Sequence, residues 1–252
     1  MIKKITIIGS GNVATQLSLV LQKNNIRISQ VISRNIDSGK KLAKRIQVPF
    51  TNDLKNILDT DLIIICVNDD EIINVIQNIP NRPMVHTSGS TSINVFKNQE
   101  EYGVFYPLQS LNKEINVNFS DIPICIEANT PALHKSLYNI AKKISKNIMS
   151  LNSDKRKHLH LAAVIAANFS NFSYLMAKKH LHKHKIDFDL LKPLIIYNTQ
   201  KIIHNDPELT QTGPAKRGDQ NIIKEHLSML EDQDYKKIYK LLSNTISKEY
   251  VK

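Results

Sequence analysis

The chain is expected to fold as an α/β protein, with a doubly wound parallel sheet followed by an all-helical second half. Three observations predict this. Through residue 151, short apolar runs alternate with amphipathic stretches, the signature of strands joined by crossover helices. Within that half, Leu62-Ile63-Ile64-Ile65-Cys66-Val67 is an almost continuous apolar run, as a parallel strand covered on both faces requires. From Asp154 to Lys185, by contrast, Gly and Pro are absent and apolar residues recur at helical spacing.

Ile5 to Ile8 is strand-like, Val13 to Lys23 reads as a helix, Ile28 to Ser33 as a strand and Asp37 to Ile46 as a helix. Met84 to His86 and Val104 to Tyr106 are short strand candidates. Ile122 to Ile126, a helix over Pro131 to Lys143 and a strand over Asn147 to Leu151 complete the first half. In the second, Leu159, Ala162, Ala163, Ala166 and Ala167 form a small-residue surface suited to close helix packing. Further helices are expected over Asp187 to Ile203, after Asp219, and over Asp234 to Ser247. The two domains are placed at residues 1–151 and 152–252.

At 252 residues, with 41% hydrophobic and 23% charged residues, the composition is globular. The net charge of +11 raises the question of nucleic acid, but the lysines are scattered and no basic run is interleaved with aromatics, so a solvated basic surface is expected and no nucleic-acid partner. Cys66 and Cys125 lie in apolar runs; core packing in a reducing, cytoplasmic setting is expected. Wholly apolar stretches fall short of the roughly 20 residues of a membrane span, no signal peptide is expected, and no membrane partner is expected.

Seven glycines make their positions informative, and two fall in Gly9-Ser10-Gly11-Asn12-Val13-Ala14, directly after a strand and opening a helix. Gly9 permits the tight turn, Gly11 a close backbone approach to a pyrophosphate, and Ala14 close packing of helix on strand. The helix N-terminus offers unpaired N–H groups to phosphates. A Rossmann-type dinucleotide site is expected. The second strand ends at Ser33-Arg34-Asn35 rather than at the Asp or Glu that holds a ribose 2′-hydroxyl. A hydroxyl, a guanidinium and an amide suit a 2′-phosphate, so the expected cofactor is NADP(H).

Val67, Asn68 and Asp69 sit at the next carboxyl edge, where such sheets bind ligands. Val67 and Asn68 are assigned to the cofactor, while capping suits Asp69 better. His86-Thr87-Ser88-Gly89-Ser90 ends another strand. It is open to two readings, a turn satisfied by its own hydroxyls and a ligand edge, with Thr87 on the cofactor side and Ser88 toward substrate. In the helical half, His160, Asn168 and Asn171 fall within an arc of roughly 80° of a regular helix. Structural hydrogen bonding would also account for any one of them. The segment Gln211 to Asp219 reads as a constrained loop delivering Arg217, with Thr212 beside it for a carboxylate and Asp219 as an N-cap. His180, His182 and His184 lack an acidic or cysteine neighbour, so no metal is expected.

Taken together, Gly9 to Ala14, His86 to Gly89, Gly103-Val104-Phe105-Tyr106-Pro107-Leu108-Gln109-Ser110, His160 to Ala163 with Asn168, and Gln211 to Ala215 with Arg217-Gly218-Asp219 resemble a bacterial family of Rossmann-like proteins with a C-terminal helical domain of unassigned function. The resemblance spans essentially the whole chain. It implies kinship with pyrroline-5-carboxylate reductase and the deazaflavin-dependent NADP reductases, a helical domain of the 6-phosphogluconate dehydrogenase-like type, a homodimer, and ketopantoate reduction by some members. Two departures stand out. Relatives of the wider dehydrogenase type carry Lys four residues before a catalytic Asn, and here that residue is Val164; the family's usual His before Pro107 is Tyr106.

The expected function is NADPH-dependent reduction of a small anionic carbonyl or imine metabolite. Ketopantoate is the first candidate and a pyrroline carboxylate the second; a non-catalytic NADP(H)-binding regulator is the alternative. The expected catalytic residues are His160, Asn168 and His86, and the substrate residues Ser88, Asn171, Thr212 and Arg217. With Val164 in place of the lysine, the proton falls to His160, His86 or a bound water.

Overall fold

The computed structural model describes residues 2–251. Their contacts form two compact units that divide between Ala167 and Asn168.

In the first unit, β1 (Lys4–Ile8), α1 (Asn12–Lys23), β2 (Arg27–Ile32), α2 (Ile36–Arg45), β3 (Phe50–Thr51), β4 (Leu62–Ile65), α3 (Ile72–Gln77), β5 (Met84–His86), β6 (Tyr102–Pro107), β7 (Ile124–Ala128), α4 (Pro131–Ile144) and β8 (Ile148–Ser150) follow in sequence, and α5 (Ser153–Ala163) closes it. The eight strands form one sheet in the order β3-β2-β1-β4-β5-β6-β7-β8. Neighbours run parallel, as expected, except that β6 and β7 are antiparallel, pairing Phe105 with Ile126. The order reverses at β1, and it is there that open α/β sheets bind ligands, outside the carboxyl ends of the strands.

The pleat distributes the apolar run of β4 to both faces. Leu62 and Ile64 join a core with Ile5, Ile7, Leu17, Leu21, Val31 and Leu137, while Ile63 and Ile65 join Ile8, Ile76, Met84 and Phe96 on the other side. Helix α1 buries Ala14, Leu17 and Leu21 at helical spacing. Thr130 caps α4 by accepting the Leu133 N–H at 3.2 Å, Pro131 occupies its first turn, and Leu133, Leu137, Ile140, Ala141 and Ile144 form the buried face. Both cysteines are buried and free.

Helix α5, expected to open the second domain, is held in the first unit by a wholly buried arginine. Arg156 is 0% exposed and pairs with Glu127 of β7. The Glu127 carboxylate also accepts the backbone N–H and the hydroxyl of Ser153, each at 2.9 Å. Arg156 donates in addition to the carbonyl of Thr91, so three segments meet on one guanidinium.

The second unit contains α6 (Ser170–Lys183), α7 (Lys192–His204), α8 (Pro207–Thr210), α9 (Pro214–Arg217), α10 (Gln220–Met229) and α11 (Gln233–Tyr250). Helix α7 is preceded by a 3-10 turn over Phe188–Leu191, which splits the single helix expected from Asp187. Among its described residues only Ala215, Ile223 and Ser243 are buried. The contacts that organise it are mostly polar or aromatic. Ser247 donates to the Ala215 carbonyl at 2.9 Å, His226 and Tyr239 are 2.7 Å apart, and Phe172 meets the edge of Tyr235 at 6.2 Å between centroids.

Residues Ser153–Lys183 form one helical stretch that is π-helical over Val164–Phe169. Although no wholly apolar run reaches that size, this stretch of 31 residues is long and apolar enough, by length and composition, to cross a membrane.

Candidate active site

The first turn of α1 leaves its backbone open to a ligand. Gly9 has φ of +120°, and a Cβ there would lie 2.2 Å from the Cys66 carbonyl oxygen. Only glycine permits that close approach, which seats the turn against the end of β4. At Gly11 a Cβ would meet nothing within 4 Å, so the backbone faces open space. Gly11 is the N-cap of α1, no side chain caps the helix, and its first turn holds no acidic residue. Its leading N–H groups are therefore available to an anion. Asn12 accepts the Lys113 N–H at 3.2 Å, Ala14 is fully buried, and Val13 packs against the core.

Beside this turn three hydroxyls cluster. The Ser10 hydroxyl lies 2.8 Å from that of Ser33 and 2.6 Å from that of Ser38. Ser38, absent from the expected set, arrives because Asn35 caps α2 by accepting the Ser38 N–H at 3.0 Å; its only sequence signal is its place in the first turn after Ser33. Arg34 projects from the same corner, 81% exposed, and its Nη1 lies 2.9 Å from Glu71 Oε1. That hydrogen bond and the arginine's charge hold the Glu71 carboxyl below the usual carboxylate range. Free N–H groups, a hydroxyl cluster and a guanidinium fit a dinucleotide with a 2′-phosphate.

At the end of β4, Val67 packs against the second core cluster. Asn68 precedes a 3-10 turn over Asp69–Glu71 and makes no side-chain cap. Asp69, expected to cap a helix, does not do so; its carboxylate accepts the Ser90 hydroxyl. Burial pushes the Cys66 thiol up to about 12.

The edge of β5 is knotted by its own hydroxyls. Ser88 Oγ accepts the N–H groups of Ser90 at 3.1 Å and Thr91 at 2.9 Å, and the Thr87 N–H donates to the Ile65 carbonyl at 3.1 Å. His86 is fully buried and stacked on Phe96. Its Nδ1 accepts the Ser88 N–H at 3.1 Å, while Nε2 has no hydrogen-bond partner. Burial, with the Arg156 charge adding to it, pushes its pKa down to about 3, so the ring is neutral at ordinary pH.

The most reactive-looking pair was only half visible in the sequence. Tyr106 Oη lies 3.1 Å from His160 Nδ1, the two rings meeting edge to face. Gly89 closes on both, since a Cβ there would fall 2.5 Å from His160 Nδ1 and 2.8 Å from Tyr106 Cζ. Burial, chiefly, pushes the tyrosine up to about 12, so it keeps its proton. His160 sits one helical turn beyond Arg156, whose buried ion pair fixes α5. Arg156 sits among ordinary surface-type charges, Asp154, Lys155 and Lys157, and Glu127 ends an apolar strand run, so nothing local in the sequence pairs the two.

In the helical unit, Asn168 lies in the π-helical turn and Asn171 at the start of α6, both exposed. The π turn interrupts the uniform 3.6-residue spacing on which the expected arc rested. Gly213 and Gly218 have φ of +105° and +76° and bracket α9, which presents Arg217. That guanidinium pairs with Asp219 at 2.9 Å; the carboxylate turns there instead of capping α10. Thr212 is exposed just before.

Residues 4–87 match the family described as NADP oxidoreductase, coenzyme F420-dependent, and residues 122–246 match a domain of unknown function, DUF2520. The crystal structure of a Bacteroides fragilis protein provisionally assigned as an NADP oxidoreductase is 37% identical, covers 98% of each chain and superposes with a TM-score of 0.92. The chain belongs to this NADP oxidoreductase family. A Thermotoga maritima protein of known structure is 24% identical over 97% of this chain and 99% of its own, with a TM-score of 0.75. The reductive aminase of Aspergillus terreus, in complex with NADPH and ethyl-5-oxohexanoate, is 14% identical over 99% of this chain and 95% of its own, with a TM-score of 0.71. Those two likenesses are of fold. No curated protein matches the chain. Family and fold are thus those the sequence resembled, with the family's cofactor, NADP(H), the one expected from Ser33-Arg34-Asn35.

Proposed function

We propose that this oxidoreductase uses NADPH to reduce a small anionic carbonyl or imine compound, and that Tyr106 and His160 deliver the proton. The observation that carries the reading is their 3.1 Å contact beside Gly89. It supports a proton source in the absence of the lysine that Val164 replaces. NADPH, when bound, supplies the hydride. The chain's own residues do the rest. Gly9 to Ala14 hold the pyrophosphate, Ser10, Ser33, Arg34 and Ser38 the 2′-phosphate, and Asn68 and Thr87 line the cofactor's path. Tyr106 gives its hydroxyl proton to the substrate oxygen or nitrogen and recovers one from His160, which is only partly buried and exchanges with water. His86, neutral and stacked in the core, shapes the β5 edge and takes no part in proton transfer. Asn168, Asn171, Thr212 and Arg217 are the substrate side, Arg217 for a carboxylate.

Ketopantoate is the first carbonyl to try, on the family resemblance. Cyclic imines come next, because the reductive aminase and an imine reductase of Myxococcus stipitatus, in complex with NADP+, share the fold. The helical unit is proposed to pair with that of a second copy.

The test is NADPH oxidation against 2-oxo acids, ketopantoate included, and cyclic imines. Tyr106→Phe should lower kcat by roughly 10²–10⁴-fold, the usual range for general acid–base catalysis, with NADPH affinity unchanged. A Tyr106→Phe enzyme within twofold of wild type would remove the proton role. Tight NADPH binding with no turnover on any compound would replace the reductase with a regulator.

A further inference from the structure

Arg34 leaves the end of β2 and Glu71 follows the end of β4, while β1 and its glycine turn lie between them in the sheet. Their ion pair at 2.9 Å therefore spans the carboxyl edge at the point where the strand order reverses, across the opening of the dinucleotide site. The pair engages one N–H of a guanidinium that has five. Glu71 has a second partner to fall back on, Asn74 Nδ2 at 3.4 Å from Oε2.

We propose that Glu71 holds the place of the cofactor's 2′-phosphate on Arg34, and that the phosphate displaces it on binding. Glu71 thereby sets the margin by which the site prefers a phosphorylated nucleotide. This rests on the reading of Arg34 as the 2′-phosphate ligand. Relative strengths fix the direction of the exchange. An exposed Arg–carboxylate pair contributes little, whereas a phosphate offers up to two charges and three acceptor oxygens to a bidentate guanidinium. Keeping both anions on one guanidinium would set like charges side by side, so the carboxylate gives way. An exposed glutamate is ionised at neutral pH, so the competing charge is present there.

Glu71 is on this account a positioning residue, acting through Arg34. The test uses the whole protein and two probes, 2′,5′-ADP and 5′-AMP, with affinities read by calorimetry. Glu71→Gln should tighten 2′,5′-ADP by about two- to fivefold, the equilibrium equivalent of an exposed ion pair, leave 5′-AMP unchanged, and leave the thermal midpoint unchanged. In an Arg34→Gln background the same substitution should have no effect on either probe. Unchanged or weaker 2′,5′-ADP binding by Glu71→Gln overturns the exchange, and so does equal tightening of both probes, which would make the pair a gate over the adenosine. Arg34→Gln alone separates the two readings. If it fails to weaken 2′,5′-ADP selectively, the 2′-phosphate assignment itself falls. If it weakens it by tenfold or more while Glu71→Gln is silent, only the exchange falls.

Discussion

Arg156 shows how much can rest on one side chain. Its guanidinium is out of water and is satisfied by Glu127 and the Thr91 carbonyl, with Nε left without a partner. Removing one member of a buried pair strands the other charge, at a cost of about 3–5 kcal/mol. Arg156→Met should therefore lower the unfolding free energy by that order in a urea titration; a loss under about 1 kcal/mol would mean that water reaches Glu127. His86 makes a second prediction at this scale. Its folded pKa, about 3, is below the roughly 6.5 of an unfolded histidine, so between those values the unfolded chain binds more protons. Stability contributed by the neutral ring is full above about pH 6.5 and falls on acidification by at most about 1.4 kcal/mol per pH unit. His86→Gln should flatten that slope between pH 6.5 and 4, and an unchanged slope would assign it to other groups.

At the scale of elements, the turn joining β1 to α1 lets folding and the proposed cofactor binding be tested apart at two glycines, Gly9 and Gly11. Gly9→Ala puts a methyl 2.2 Å from the Cys66 carbonyl at a φ of +120°, which costs at least roughly 1–3 kcal/mol in backbone strain alone and should lower the melting temperature sharply. Gly11→Ala has ordinary φ and open space around the new methyl. It should leave the melting temperature within a few degrees while weakening NADPH binding tenfold or more by crowding the pyrophosphate. Undiminished NADPH affinity in Gly11→Ala would place the pyrophosphate elsewhere. The π-helical turn over Val164–Phe169 is the corresponding device in the helical half, for such turns are common at functional positions. The proposed Asn168 lies within it.

For the molecule as a whole, the conspicuous fact is that the helical unit exposes what a core would bury. Leu190 is 72% exposed, Ile203 69% and Leu241 68%, apolar side chains that association with a partner would cover. A second copy is the partner we propose, on the resemblance and on this surface. Sedimentation should give a dimer whose thermal midpoint rises with concentration. Leu190→Lys with Ile203→Lys should yield monomers of lower stability; a wild-type chain that sediments as a monomer at micromolar concentration would end the proposal.

The strands and their alternation, the glycine turn and the Ser33-Arg34-Asn35 corner were legible in the residues because each is local. A strand's apolar run, a turn that needs positive φ and a helix N-terminus carry their physics within a few positions. The antiparallel β7 was not legible, since pairing direction depends on how the chain returns across the sheet. Nor were the partners of side chains far apart in sequence. Ser38 on Ser10, Glu71 on Arg34, Glu127 on Arg156 and Tyr106 on His160 are brought together only by strand order and helix packing. The sequence by itself thus determined a Rossmann unit of the NADP oxidoreductase kind with a helical partner. The tertiary structure alone decided which polar groups meet, because hydrogen bonds and ion pairs act over about 3 Å, a distance that spacing along the chain does not encode.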